Sequence, residues 1–241
     1  MVKKSLFLGV MSLALLAAAG QDGVTLAWKP AVGSVSKYRL TSTSNMQGMS
    51  AEFGATMTMK VESVTGDKVK TSATTSEMTL KVGDQDMSAM MASMVSTVTT
   101  VVSLSGEVLE RTLTAGQSEF DSPKLESAFT MIFPSKPVKV GDTWVREVKA
   151  GSKTGFSASK SVFTYLGTEK IADKYNTHKI KFEFKELDGS TPMTGSGTVW
   201  IQAEDGALMK QEFSLKNAEV SPGMVADMTG KMIRISFEPG K

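Results

Sequence analysis

The sequence predicts a mainly β protein: a curved antiparallel sheet, or half barrel, of about ten strands with two short helices covering its concave face. Three observations predict it. Apolar and polar residues alternate with a period of two over long stretches. The clearest is residues 179–185 (KIKFEFK), where Ile180, Phe182 and Phe184 share one face and Lys179, Lys181, Glu183 and Lys185 the other. Gly and Asp pairs separate such runs at hairpin spacing. Only two stretches change to the helical period.

The chain opens on a different signal. Lys3 and Lys4 precede an apolar run of 14 residues, 6–19, ending in Ala17, Ala18 and Ala19. This is the pattern of a secretory signal peptide cleaved after Ala19, and it falls short of the ~20 residues that span a bilayer. Gly20 stands where a bacterial lipoprotein carries its lipid-modified cysteine, so no lipid anchor is expected. The expectation is a signal peptide, 1–19, and a single β-rich domain, 20–241, that is secreted or periplasmic with no integral membrane segment. Removing 19 of 241 residues leaves 222, enough for a core without disulfides, and the chain has no cysteine.

Each later element has its own warrant. VSKYRLTSTS (35–44) is a strand candidate. Residues 56–64 and 68–82, joined by Gly66-Asp67, form a long hairpin, and Thr and Val suit its half-buried surface. From Asp86 the period changes: Met87, Met90, Met91, Met94, Val95 and Val98 fall on one helical stripe, predicting a helix over 87–98. TVTTVVSL and EVLERTL then read as a hairpin about Ser105-Gly106. The second helix lies within 121–133. Ser122 caps it, Pro123 fits its first position, and Leu125, Ala128, Phe129 and Ile132 form its stripe. Pro134 stops it. FPSKPVKVGDTW (133–144) is a helix-to-strand corner: Pro137 keeps the chain extended, Gly141-Asp142 turns it, and Trp144 packs back on the helix. Downstream, residues 197–203 and 207–220 flank the turn Glu204 to Gly206. The last run, KMIRISFEP, puts Ile233, Ile235 and Phe237 on one face.

Several chemistries are excluded. The sole histidine, His178, is in phase with Ile180 and reads as a partly buried strand residue. No G-x-S-x-G elbow, phosphate loop, dinucleotide fingerprint or HExxH occurs. The pairs Glu204/Asp205 and Asp84/Asp86 lie in turns, and two carboxylates fall short of a calcium shell. The reading is a non-enzyme without cofactor or metal. Without Lys3 and Lys4 the Lys+Arg count drops from 27 to 25, equal to the Asp+Glu count, and the charges are interspersed. That excludes the basic footprint of a nucleic-acid binder.

Methionine is the unusual residue. There are 17, and 15 remain without Met1 and Met11. Met87, Met90, Met91 and Met94 cluster on the first helix, with Met46, Met49, Met57, Met59 and Met78 on nearby strands. Three readings stand: a plain core, an adaptable apolar cavity, or soft thioether ligands for Cu(I).

The corner P-x-x-P-V-K-V-G-D-T-W, from Pro134 to Trp144, resembles one found in a group of secreted bacterial proteins. The stretch 26–40, with Trp28, Pro30, Gly33 and Tyr38, is similar to their start. In layout they resemble the lipoprotein-carrier group. That resemblance implies a half barrel with helices in its concavity and a lipid or acyl chain bound there. The ligand-binding candidates are then Met87, Met90, Met91, Met94, Leu125, Phe129 and Ile132. The expected partner is a lipid or apolar small molecule, with an envelope-protein partner as the alternative.

Overall fold

The computed structural model describes residues 23–46, 48–91, 93–116, 122–151, 153–221 and 223–240, so the expected signal peptide lies outside the described residues. The fold is the mainly β one that the alternation predicts: one curved, unclosed antiparallel sheet with two short helices. Among the described residues there are twelve strands. In chain order they are β1 (Val35–Met46), β2 (Met49–Thr65), β3 (Lys68–Val82), β4 (Gln85–Asp86), β5 (Ser96–Ser103), β6 (Val108–Ala115), β7 (Thr143–Val148), β8 (Ser159–Ile171), β9 (Tyr175–Glu186), β10 (Thr194–Gln202), β11 (Leu208–Ser221) and β12 (Met224–Glu238). Helix α1 (Ser88–Met91) lies between β4 and β5, and α2 (Pro123–Phe129) between β6 and β7.

The strand order is β6-β5-β3-β2-β1-β12-β11-β10-β9-β8-β7, with β4 on β3. Each half of the chain is thus a meander of hairpins, and the halves join where β1 pairs β12. Edge strands β6 and β7 are far apart along the sheet but meet in space. Arg111 N–H on β6 donates to the Lys153 carbonyl beyond β7 at 3.0 Å, and Arg146 on β7 forms an ion pair with Glu107 at 3.2 Å. The sheet therefore curls until its edges face each other, without a ladder between them.

Helix α2 and the corner after it fill this seam. Ser122 Oγ accepts from Leu125 N–H at 3.3 Å and Pro123 takes the first turn, as its residues predict. Lys124 pairs with Glu219 of β11, Glu126 with Arg111 of β6, and the Ser127 carbonyl accepts from Arg146 of β7. Past the helix, Phe133 N–H donates to the Ser105 carbonyl at 2.7 Å. The corner is joinery: Trp144 is half-buried, its indole N–H donates to the Ile132 carbonyl at 2.7 Å, and its ring stacks on Phe163 at 5.6 Å. Val24 and Val138 form a bridge that lays the N-terminal segment along the same corner.

Three expectations fail locally. Helix α2 ends at Phe129, capped by Thr130, so Ile132 and Phe133 lie in the non-helical segment before Pro134. Helix α1 ends at Met91, not at Val98, and residues 96–103 are strand β5 instead. Thr and Val are β-branched and lose rotamer freedom in a helix, while β3 and β6 offer pairing on both sides. Nor do Ile233, Ile235 and Phe237 share a face. A bulge leaves Ile235 unpaired between Tyr38↔Arg234 and Lys37↔Ser236, so the alternation is broken there.

Candidate binding site

The faces of the sheet are set by the pairing. Phe182, Phe184, Phe213 and Leu215 belong to the main buried cluster, against which Leu125, Phe129 and Ile132 of the α2 region pack. Phe129 meets Phe213 at 4.6 Å between ring centroids. This is the inner face. Cross-strand partners share a face, so the inner face can be followed from strand to strand. It carries Met57 and Met59 of β2, opposite Tyr38 and Ser36, and Met232 and Met228 of β12, opposite Leu40 and Ser44. Met193 and Met228 are in the main cluster and Met131 packs on it; Met78 and Met91 form a second cluster with Ala55, joined by Phe53, Leu80 and Met94. Methionine thus lines the inside of the curl from β3 round to β10. Met57, Met59 and Met232 are only half-buried.

The candidate residues divide between these two clusters. Leu125, Phe129 and Ile132 come together over β8 to β12. Met91 is buried and Met94 half-buried in the α1 cluster; Met87 is half-buried outside it, and Met90 is 64% exposed. The inner-face methionines Met57, Met59, Met228 and Met232 were within reach of sequence reasoning, since they alternate with polar residues along β2 and β12.

The inner face also holds charge. Arg146 is 2% exposed, with its guanidinium on Glu107 and Ser127 and 5.7 Å from the Phe156 ring. A buried guanidinium persists only with such partners, and here they tie three elements together. His178 Nδ1 lies 3.0 Å from the Tyr165 hydroxyl. Burial pushes the imidazole below its usual pKa and the phenol above. Among the described residues no group of three or more His, Asp or Glu is placed to hold a metal ion.

A trough of about 800 Å³ crosses β3, β2, β1, β12, β11 and β10. Most of its lining, including Thr41, Thr43, Glu52, Lys231 and Glu212, is out of phase with Phe53 and Phe213, which also border it but whose side chains belong to the inner clusters. It therefore lies on the outer face. Hydroxyls and charges of both signs line it. Smaller clefts lie at the corner (Pro134 to Trp144) and beside the seam (Glu107 to Phe156). None of the three is lined by the seven candidate residues. No helix among the described residues is long and apolar enough to cross a membrane.

No family model and no curated protein matches the chain. Solved structures are similar to it at low identity. An exported protein, provisionally so described, with a YmcC-like fold from Bacteroides fragilis is 11% identical over 89% of this chain and 99% of its own, with a TM-score of 0.40. The hypothetical lipoprotein YmcC of Escherichia coli is 12% identical over 88% and 90%, with a TM-score of 0.35. A domain provisionally described as outer-membrane lipoprotein-sorting, from Vibrio parahaemolyticus, is 12% identical over 88% and 87%, with a TM-score of 0.31. Likeness at this level leaves the functional reading to the residues of this chain.

Proposed function

We propose that the chain is an exported, non-catalytic binding protein that holds a lipid or other apolar molecule against the inner face of its curled sheet. Export with removal of residues 1–19 is part of the proposal. The observation that carries it is the methionine lining: Met57, Met59 and Met232 are inward-facing and half-buried. Unbranched thioether side chains repack at low cost, so such a wall adapts to an inserted chain. Leu125, Phe129 and Ile132 would bound the ligand space on one side and the α1 methionines on the other. Copper is the weaker reading. Met90 is exposed, Met87 stands outside the α1 cluster, and neither cysteine nor the single histidine is there to complete a site.

The test is native mass spectrometry of the protein purified from its own envelope, with solvent extraction of whatever it carries. One apolar molecule per chain is expected. A protein that is empty, and that also ignores fluorescent fatty acids and their esters, overturns the proposal. The outer trough favours a second reading, an envelope protein-interaction module, because mixed charges and hydroxyls suit a polar protein surface. Recovery of a stoichiometric protein partner whose binding is lost in Glu212→Lys would support it.

A further inference from the structure

Tyr38 on β1 and Arg234 on β12 stand directly opposite each other. Tyr38 is 1% exposed, yet its hydroxyl has no hydrogen-bond partner, and the Nη1 of Arg234 is likewise buried and unpaired. Such orphans are rare, because a buried donor without an acceptor has lost its water and gained nothing. The rest of the guanidinium is committed. Its Nη2 donates to Gln202 Oε1, and its carbon sits 5.0 Å from the centre of the Phe237 ring. The Ser36 side chain is a hydrogen-bonding neighbour that pulls the phenol's pKa down against the larger effect of burial, but it does not make a well-formed hydrogen bond to the Tyr38 hydroxyl. Burial holds that hydroxyl above its usual pKa, so it is a donor at neutral pH. Asp205 is the carboxylate that acts on it, and its Oδ1 is already engaged by Ala207 N–H at 2.9 Å.

Two free donors side by side, one of them cationic, want one anionic acceptor. Their neighbours say what should be attached to it. Met57 is the inner-face partner of Tyr38 across β2, and Leu40 with Met232 is the next inward pair along β1 and β12. The polar pair thus stands near one end of the methionine wall, with only Met59, opposite Ser36, beyond it on β2. The N-terminal segment crosses this end, bonded through Lys29 N–H to the Asp205 carbonyl and Gly33 N–H to the Val61 carbonyl, both at 2.8 Å. We infer that Tyr38 and Arg234 form the head-group site for a single carboxylate, so that the ligand is a fatty-acid-like amphiphile with its tail along Met57, Leu40 and Met232. A carboxylate accepts one hydrogen bond from each donor, and the bond from Arg234 is charge-assisted. This rests on the carrier reading above.

A dansylated fatty acid and its methyl ester, titrated into the full mature chain, test it. The tails are identical and only the head differs. The acid should bind about tenfold or more tightly than the ester, the worth of a charge-assisted hydrogen bond. Tyr38→Phe and Arg234→Met should each reduce binding of the acid toward that of the ester and leave the ester unchanged. Equal binding of acid and ester overturns the head-group site while the carrier reading stands. Binding of neither overturns both. A second measurement needs no ligand: Tyr38→Phe deletes a hydroxyl with no well-formed hydrogen bond, so the melting temperature of the empty protein should hold or rise. A fall would mean the hydroxyl has a partner, and the premise fails.

Discussion

His178 shows how much a single residue's phase reveals. Its alternation with Ile180 and Phe182 predicts a partly buried strand position, and it is 8% exposed, bonded to Tyr165. Burial depresses its pKa from the usual 6.5, so the folded state holds the neutral ring. Unfolding restores the ordinary pKa. Below about pH 6.5 the unfolded chain binds the extra proton, and stability falls with pH until the folded pKa is passed. Above pH 6.5 the contribution is complete and flat. The depressed carboxylates Glu62, Asp86, Glu169 and Glu219 act in a separate window, below their usual 3.8 to 4.5. Urea unfolding between pH 7 and 5 should therefore show a slope that His178→Gln flattens; an unchanged slope would place its origin elsewhere. Other residues were not legible in this way. Arg234 sits in a run whose isoleucines claim the inner face by pattern, whereas the register puts Met232 and Arg234 inward and Ile233 outward, and the bulge at Ile235 then breaks the isoleucine pattern. A one-residue irregularity has no signature in alternation, and local rules fail most often where a site is built.

At the scale of elements, what was legible depended on how many independent signals agreed. For α2 the cap and the first-turn proline agree and start the helix where they place it, but it ends at Phe129, so Ile132 of the expected stripe and the stopping Pro134 lie beyond it. For α1 one signal, methionine spacing, opposed another, the Thr- and Val-rich run from Ser96, and pairing with two neighbouring strands decided the outcome. Turns were legible as turns but not in their tertiary duty. Gly66 and Gly106 both close hairpins with positive φ, +61° and +92°. A Cβ at Gly66 would meet nothing within 4 Å, whereas one at Gly106 would lie 2.3 Å from the Met131 carbonyl oxygen. Gly66→Ala should cost only the left-handed conformation, about 1 kcal/mol. Gly106→Ala adds a clash with backbone that has nowhere to move, and should cost about 3 kcal/mol or more. Chemical denaturation of the two variants separates the cases; equal losses would mean that the β5–β6 turn does not bear on the segment after α2.

The whole molecule depends on a seam that the strand count alone does not reveal. A sheet with β6 and β7 as edges could lie open, and nothing in the alternation of either strand specifies that they meet. What closes it is a set of side chains far apart in sequence. Arg146 reaches from β7 to Glu107 before β6 and to Ser127 on α2, with its side chain 1% exposed. Truncating it strands the Ser127 carbonyl and removes the partner of Glu107; because the Glu107 side chain is 36% exposed and can turn to water, the loss should be about 2 kcal/mol, less than for a fully buried pair. Lys160 and Glu147, an exposed pair at 3.0 Å on neighbouring β8 and β7, provide the contrast: Lys160→Ala should cost under about 0.5 kcal/mol. The sharper readout is local. The Arg111 amide bonds across the seam to Lys153, while the inner strands are held by full ladders such as β8 to β9 and β9 to β10. Hydrogen exchange should find the Arg111 amide less protected than that of Phe182, and Arg146→Ala should speed exchange at Arg111 while leaving Phe182 slow. If both amides change together, the molecule opens only as a whole. If only the seam changes, the curl has a meridian along which it parts, and a carrier that takes an acyl chain into its interior would open there, between the two strands that no ladder joins.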